Sequence, residues 1–172
     1  RPYSGRWCDS LYRTIFQNMA EGIRAVDPAI IIVTCNTQNS PSGSYHKSLS
    51  VFVGLEHLVD AYATHSYPML RGWPSWERSY PEDTRMSYLT DVQGVINWRD
   101  ANDPTAEVWI TEFGYDSTSK PTPTSDGWMD VTDTQHAQWL TRSFLIFSEM
   151  DMDRAYMYFY DDNDSASLHA AS

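Results

Sequence analysis

The stretch Asn102-Asp103-Pro104-Thr105-Ala106-Glu107-Val108-Trp109-Ile110-Thr111-Glu112-Phe113-Gly114 decides the fold. Residues 85 to 101, just before it, keep helical periodicity, with Met86, Leu89, Val92 and Ile96 as the apolar stripe. Asn102-Asp103-Pro104 ends that helix, because the residue before a proline is pushed out of the helical region. Glu107 to Glu112 then reads as a strand, apolar and closed by an ionisable residue. A helix followed at once by a strand of this kind is the repeating unit of a parallel sheet.

The same unit recurs on both sides. Asp9 is placed to cap a helix over residues 10 to 26, with Leu11, Ile15, Met19, Ile23 and Val26 as its apolar face. Asp27-Pro28 stops it, and Ala29-Ile-Ile-Ile-Val-Thr-Cys35 follows as a continuous apolar run expected to be a buried parallel strand. Asn36 to Ser44 reads as a loop, Leu49 to Leu58 as a short helix, and Val59 to His65 as the next strand. Downstream, Asp133 is expected to cap a helix running to Met150, with Ala137, Leu140, Phe144 and Phe147 inward, and Asp153 to Tyr160 is a further strand. The order helix, strand repeated four times implies right-handed crossovers and an α/β fold. A complete (β/α)8 barrel needs about 250 residues, so four strands in 172 residues make half of one. No internal linker or repeat divides the chain, and residues 1 to 172 read as a single partial barrel domain, truncated at both ends.

Composition narrows the function. With 41% hydrophobic residues and 20% charged ones the chain is of globular type. Its longest apolar runs are strand-sized, so no membrane partner is expected. A net charge of -11, with only 12 Lys and Arg, has the wrong sign for phosphate backbones, so nucleic acid is not expected as a partner either. Two cysteines, Cys8 and Cys35, allow at most one disulfide and no zinc site. The dinucleotide GxGxxG, the phosphate-cradling GxxxxGK[ST], GxSxG and HExxH signatures do not occur, and no cofactor is implied.

The remaining candidates follow the ends of strands, the face on which α/β barrels carry their sites. Glu112 leads into Phe113-Gly-Tyr-Asp116. A carboxylate there suits attack on an oxocarbenium-like sugar centre or acid/base work, the alternative being a capping or salt-bridged glutamate. In Tyr62-Ala-Thr-His65-Ser-Tyr67-Pro68, His65 and Tyr67 alternate onto one side and can hydrogen-bond a neighbouring carboxylate; satisfaction by core backbone is the alternative. Trp73 and Trp76 lie in the long loop after this strand, Tyr115 and Trp128 in the loop after Glu112. Such rings stack on the apolar faces of sugars, or form small cores under the loops. Trp7, Trp98 and Trp139 fall on or beside helices and read as packing. The last strand ends Tyr158-Phe-Tyr160-Asp161-Asp162-Asn163-Asp164, where Tyr158, Tyr160 and Asp161 are candidates for sugar contacts and the acids are otherwise solvated. Their spacing is not that of a calcium loop, and no metal is expected.

These motifs together resemble the C-terminal half of a clan A glycoside hydrolase, near its family 39, family 5 and agarase-like branches. The resemblance rests on Ala25-Val-Asp-Pro28, His65-Ser-Tyr67-Pro68, Trp109-Ile-Thr-Glu112-Phe-Gly114 and Tyr158 to Asp162, placed as strands five to eight of a (β/α)8 TIM barrel. It implies a retaining hydrolase of β-linked poly- or oligosaccharides in which Glu112 is the nucleophile, contacted by His65 and Tyr67. It places the acid/base glutamate, after an asparagine, at the end of a fourth strand. No Asn-Glu pair occurs here, so that residue and the remaining N-terminal half of the barrel are expected outside this chain. The tryptophan usual at the eighth strand is replaced by Tyr158 or Tyr160. Polysaccharide substrates imply an extracellular or periplasmic setting. The alternative is a non-catalytic carbohydrate-binding or scaffold protein on the same barrel.

Overall fold

The computed structural model describes residues 9–38, 45–72, 75–118 and 131–158. Strand β1 (Thr37–Gln38), strand β2 (Ala61–His65), strand β3 (Glu107–Phe113) and strand β6 (Arg154–Met157) form one parallel sheet in the order β1-β2-β3-β6. Helix α1 (Asp9–Val26) precedes β1, helix α2 (Tyr88–Asn102) connects β2 to β3, and helix α3 (Asp133–Glu149) connects β3 to β6. Two short parallel strands, β4 (Ser117–Thr118) and β5 (Val131–Thr132), pair beside the end of β3. The chain is thus a mixed α/β fold on a parallel sheet.

Alternation along the strands sets the core. Tyr62 of β2 and Val108, Ile110 and Phe113 of β3 point to the helices, where they meet Val92, Val95 and Ile96 of α2 and Phe147 of α3. The contacts are aromatic and edge-on: Tyr62 lies 5.0 Å from the Trp98 ring centroid, and Phe113 lies 4.9 Å from that of Phe147. On the other side of the sheet Trp109 packs against Tyr156, with the Arg154 guanidinium 4.8 Å from its ring centre.

Five local expectations are corrected. Residues 29 to 35 do not form a regular strand: only Val33 bridges to Ala61, and Ile30 and Ile31 are exposed. The reason lies in side chains that compete for the ladder. Ala63 N–H donates to Thr34 Oγ1 rather than to a backbone carbonyl, and Ile32 N–H donates to Asp60 Oδ2. Helix α1 is rotated from its predicted face. Tyr12, Phe16, Ala20 and Ile23 pack inward, whereas Ile15, Met19 and Val26 are exposed. The aromatic trio Tyr12, Phe16 and Phe52 anchors that rotation. The helix expected over 49 to 58 is two 3-10 turns, Tyr45–Phe52 and Glu56–Leu58, separated at Gly54, whose φ of 82° ends the first turn. Finally, Thr132 rather than Asp133 caps α3. Its hydroxyl accepts from Gln135 N–H while the Gln135 side chain accepts from Thr132 N–H, a reciprocal capping box. Phe144, expected inward on that helix, is exposed but keeps an edge against Phe113, and Ala137 is exposed.

Candidate active site at the carboxyl end of the sheet

Glu112 owes its position to an irregularity in β3. Ile110 pairs with Thr64, but the next partner of β2, His65, is Glu112, so β3 carries an extra residue there. The same shift appears against β6, where Ile110 pairs with Ala155 and Phe113 with Met157. A bulge of this kind bends the strand and re-aims a side chain. Here it brings Glu112 alongside His65 while Ile110 and Phe113 both stay in the core.

Both carboxylate oxygens of Glu112 are engaged. The Tyr67 hydroxyl donates to Oε1, and His65 Nδ1 lies 3.2 Å from Oε2. The site is neither sealed nor fully solvated, with 24% of the Glu112 side chain and 20% of the His65 side chain exposed. Burial pushes the His65 pKa below its ordinary 6.5, outweighing the upward pull of Glu112. At neutral pH the imidazole is therefore uncharged, and its Nδ1 faces the carboxylate. Burial, followed by the hydrogen bond to Glu112, pushes the Tyr67 phenol well above its ordinary value, so it stays a proton donor. The result is one carboxylate held by a neutral phenol donor with a neutral imidazole beside it, a geometry suited to a nucleophile or a base.

The loop after β2 folds back on itself. Met69 bridges antiparallel to Arg78, Leu70 N–H donates to Glu77 carbonyl at 2.7 Å, and Ser79 N–H to Pro68 carbonyl at 3.1 Å. Trp76, half-buried, sits at its turn with φ 47°, a left-handed conformation that a bulky residue adopts only under constraint. Arg78 returns to the site: its guanidinium lies 5.5 Å from the Tyr67 ring centre and 2.7 Å from Asp116 Oδ2. Neither Arg78 nor Asp116 was among the residues singled out by sequence. An arginine in a loop carries no periodicity, and only the fold shows what it reaches.

Other candidates separate from this group. Tyr115 is corrected from a sugar platform to a packing residue. It is 1% exposed, with its ring 5.5 Å from that of Trp139 and next to His136, because residues 113 to 116 turn inward under α3. Tyr158 stays at the site: it is exposed, its N–H donates to Phe113 carbonyl at 2.9 Å, and its phenol is within electrostatic reach of Tyr67. Trp73, Trp128, Tyr160 and Asp161 lie outside the described residues, as does Cys8; Cys35 is exposed. Trp98 packs in the core, as expected from its helix. Among the described residues no group of three or more His, Cys, Asp or Glu side chains is placed to hold a metal ion, and no helix is long and apolar enough to cross a membrane.

Solved structures share this fold. The chain is similar to CelM2, a bifunctional glucanase-xylanase from a metagenome library, with a TM-score of 0.62 and 14% identity over 90% of this chain and 37% of that one. It is similar to a glycoside hydrolase family 44 xyloglucanase from Paenibacillus polymyxa, with a TM-score of 0.61 and 12% identity over 91% and 38%. It is also similar to a family 17 β-1,3-glucanosyltransferase from Rhizomucor miehei, with a TM-score of 0.60 and 10% identity over 98% and 55%. At these identities the likeness is one of fold, that of TIM-barrel glycosidases, and the chain spans about a third to a half of these structures. No protein-family model matches the chain, and no curated protein matches it.

Proposed function

We propose that this chain supplies strands five to eight of a (β/α)8 barrel that hydrolyses β-linked poly- or oligosaccharides with retention of configuration. The observation that carries the proposal is the Glu112 carboxylate itself, accessible at a bulged strand end and held on one oxygen by Tyr67 and near the other by His65. In this reading a Glu112 oxygen attacks the anomeric carbon as the bond to the leaving oxygen breaks, and a second carboxylic acid protonates that oxygen. The same group, now a carboxylate, takes a proton from water, whose oxygen attacks the anomeric carbon and frees Glu112. Retention requires the two carboxyl groups to be about 5 to 5.5 Å apart. Among the described residues the side chains that meet Glu112, Tyr67 and His65, are not carboxylic, and the acid/base group is assigned, as the resemblance implies, to the N-terminal half of the barrel. Trp76 and Tyr158 are assigned to the sugar-binding surface, together with Trp73, Trp128, Tyr160 and Asp161.

Glu112→Gln tests the proposal in the enzyme formed when this chain is joined to its N-terminal half. Turnover of β-linked polysaccharide is expected to fall by several orders of magnitude while sugar binding persists, because the amide keeps the side-chain shape but cannot attack. A chain that only binds carbohydrate would change in affinity and have no turnover to lose. Measurable hydrolysis that survives Glu112→Gln overturns the assignment.

A further inference from the structure

We propose that Arg78 is a positioning residue for Glu112, acting through the Tyr67 ring and anchored by Asp116. The inference rests on the reading of Glu112 as the reacting carboxylate.

The four residues form a line across two loops. Asp116 follows Glu112 by four positions on the same stretch of chain, and its carbonyl accepts from Val131 N–H at 2.9 Å, which ties it to the β4–β5 pair. Its carboxylate meets Arg78 Nη2 at 2.7 Å. Arg78 presents its charge to the Tyr67 ring with 5.5 Å between guanidinium and ring centre, and the Tyr67 hydroxyl reaches Glu112. The line therefore starts just after β3 and ends near the carboxyl end of that same strand, with the loop that follows β2 held between. A guanidinium suits this place because one planar group can give its edge to a carboxylate and still contact an aromatic ring.

Burial argues that the pair does more than hold the loops together. The Arg78 and Asp116 side chains are 6% and 3% exposed. Taking two charges out of water costs several kcal/mol per ion before their attraction is counted, and an apolar pair of similar size commonly serves stability as well or better. What an apolar pair would not supply is a cation against the Tyr67 ring. With it, the ring is gripped between Arg78 and Glu112, and the phenol has one favoured orientation instead of several. A nucleophile held to sub-ångström tolerance needs such support around it.

The test reads the Tyr67 hydroxyl proton by NMR in water, identified by its loss in Tyr67→Phe. Arg78→Met is expected to speed its exchange with solvent about tenfold, the scale of losing one cation–ring contact from a desolvated site. Arg78→Lys, which keeps the charge but not the planar fork, is expected to restore part of the protection. Because Arg78→Met leaves Asp116 buried and unpaired and can unfold the chain, the double variant Arg78→Met/Asp116→Leu is measured beside it. A crystal structure of that double variant gives a second reading: Tyr67 displaced from Glu112 supports the proposal. Unchanged exchange in a folded Arg78→Met or double variant, or Tyr67 still seated on Glu112 in the crystal, overturns it. Neither measurement needs turnover, so a failure here is distinct from a failure of the Glu112→Gln assay.

Discussion

Glu112 takes its character from the two neutral groups beside it. A charged neighbour would have fixed the carboxylate by ion pairing and dulled it, whereas Tyr67 orients it through a directional hydrogen bond and His65 stands beside it uncharged. Keeping His65 uncharged has a cost that appears in stability. Its pKa in the folded chain lies below the ordinary 6.5 because burial disfavours the imidazolium, and His136 is lowered for the same reason. As the pH falls below 6.5 the unfolded chain takes up these protons and the folded chain resists them, so protonation favours unfolding. Stability is therefore expected to decline from about pH 6.5 downward, through the window between the unfolded and folded histidine values. The depressed carboxylates Asp83 and Glu107 add their own losses only at lower pH. Thermal melts followed by circular dichroism across this range check the slope, and His65→Gln is expected to make it shallower. A slope that stays the same in His65→Gln would show that His65 is not held uncharged by burial.

Among the elements, β3 does the positioning, and it does so at two adjacent places. The bulge turns Glu112 toward His65, and directly after it Gly114 passes so close to the last strand that a Cβ there would stand 2.5 Å from the Tyr158 carbonyl oxygen. Tyr158 N–H is bonded to Phe113 carbonyl in the same region, so the backbone of β6 cannot retreat without losing that bond. Gly114→Ala is accordingly expected to destabilise the chain by about 1 to 3 kcal/mol, the range for forcing atoms into a packed site. Denaturant unfolding monitored by tryptophan fluorescence measures this, and an unchanged midpoint would mean that β6 gives way freely. The motif Thr111-Glu-Phe-Gly114 could be picked out from sequence because its composition, an acid and a glycine closing an apolar strand, is local. The bulge could not, since it exists only relative to the registers of β2 and β6. The same distinction explains α1. Apolar residues at Leu11, Ile15 and Met19 and at Tyr12, Phe16 and Ala20 both fit a helical period, and only the tertiary contact with Phe52 selects the second set. In residues 29 to 35, apolar content suggested a buried strand, but a ladder also needs free backbone partners, and Thr34 Oγ1 and Asp60 Oδ2 intercept them.

At the scale of the whole molecule, the face of α1 left outward by that rotation is the feature with consequences. Met19 is 61% and Val26 86% exposed, and they border one apolar groove with Ile23 and Ile30, while Ile15 and Met19 border an adjoining one with Ile32 and Val33. Adjacent exposed apolar side chains in such number are a liability in water, and burying them against any apolar surface returns roughly 25 cal/mol for each Å² removed from water. Opposing this is a net charge of -11, which makes two copies of the chain repel each other. That repulsion acts over about 10 Å at 0.1 M salt and only about 3 Å at 1 M, whereas the apolar attraction is not screened. The isolated chain is therefore expected to self-associate in a concentration-dependent way and to do so more strongly as salt is raised, the opposite of an assembly held by ion pairs. Sedimentation velocity across a salt series measures this directly. Met19→Glu with Val26→Glu is expected to shift the chain toward monomer, since both side chains lie on the exposed face and neither belongs to the packed core. A chain that stays monomeric at every salt and concentration would mean that the grooves along α1 are too shallow to drive contact between copies.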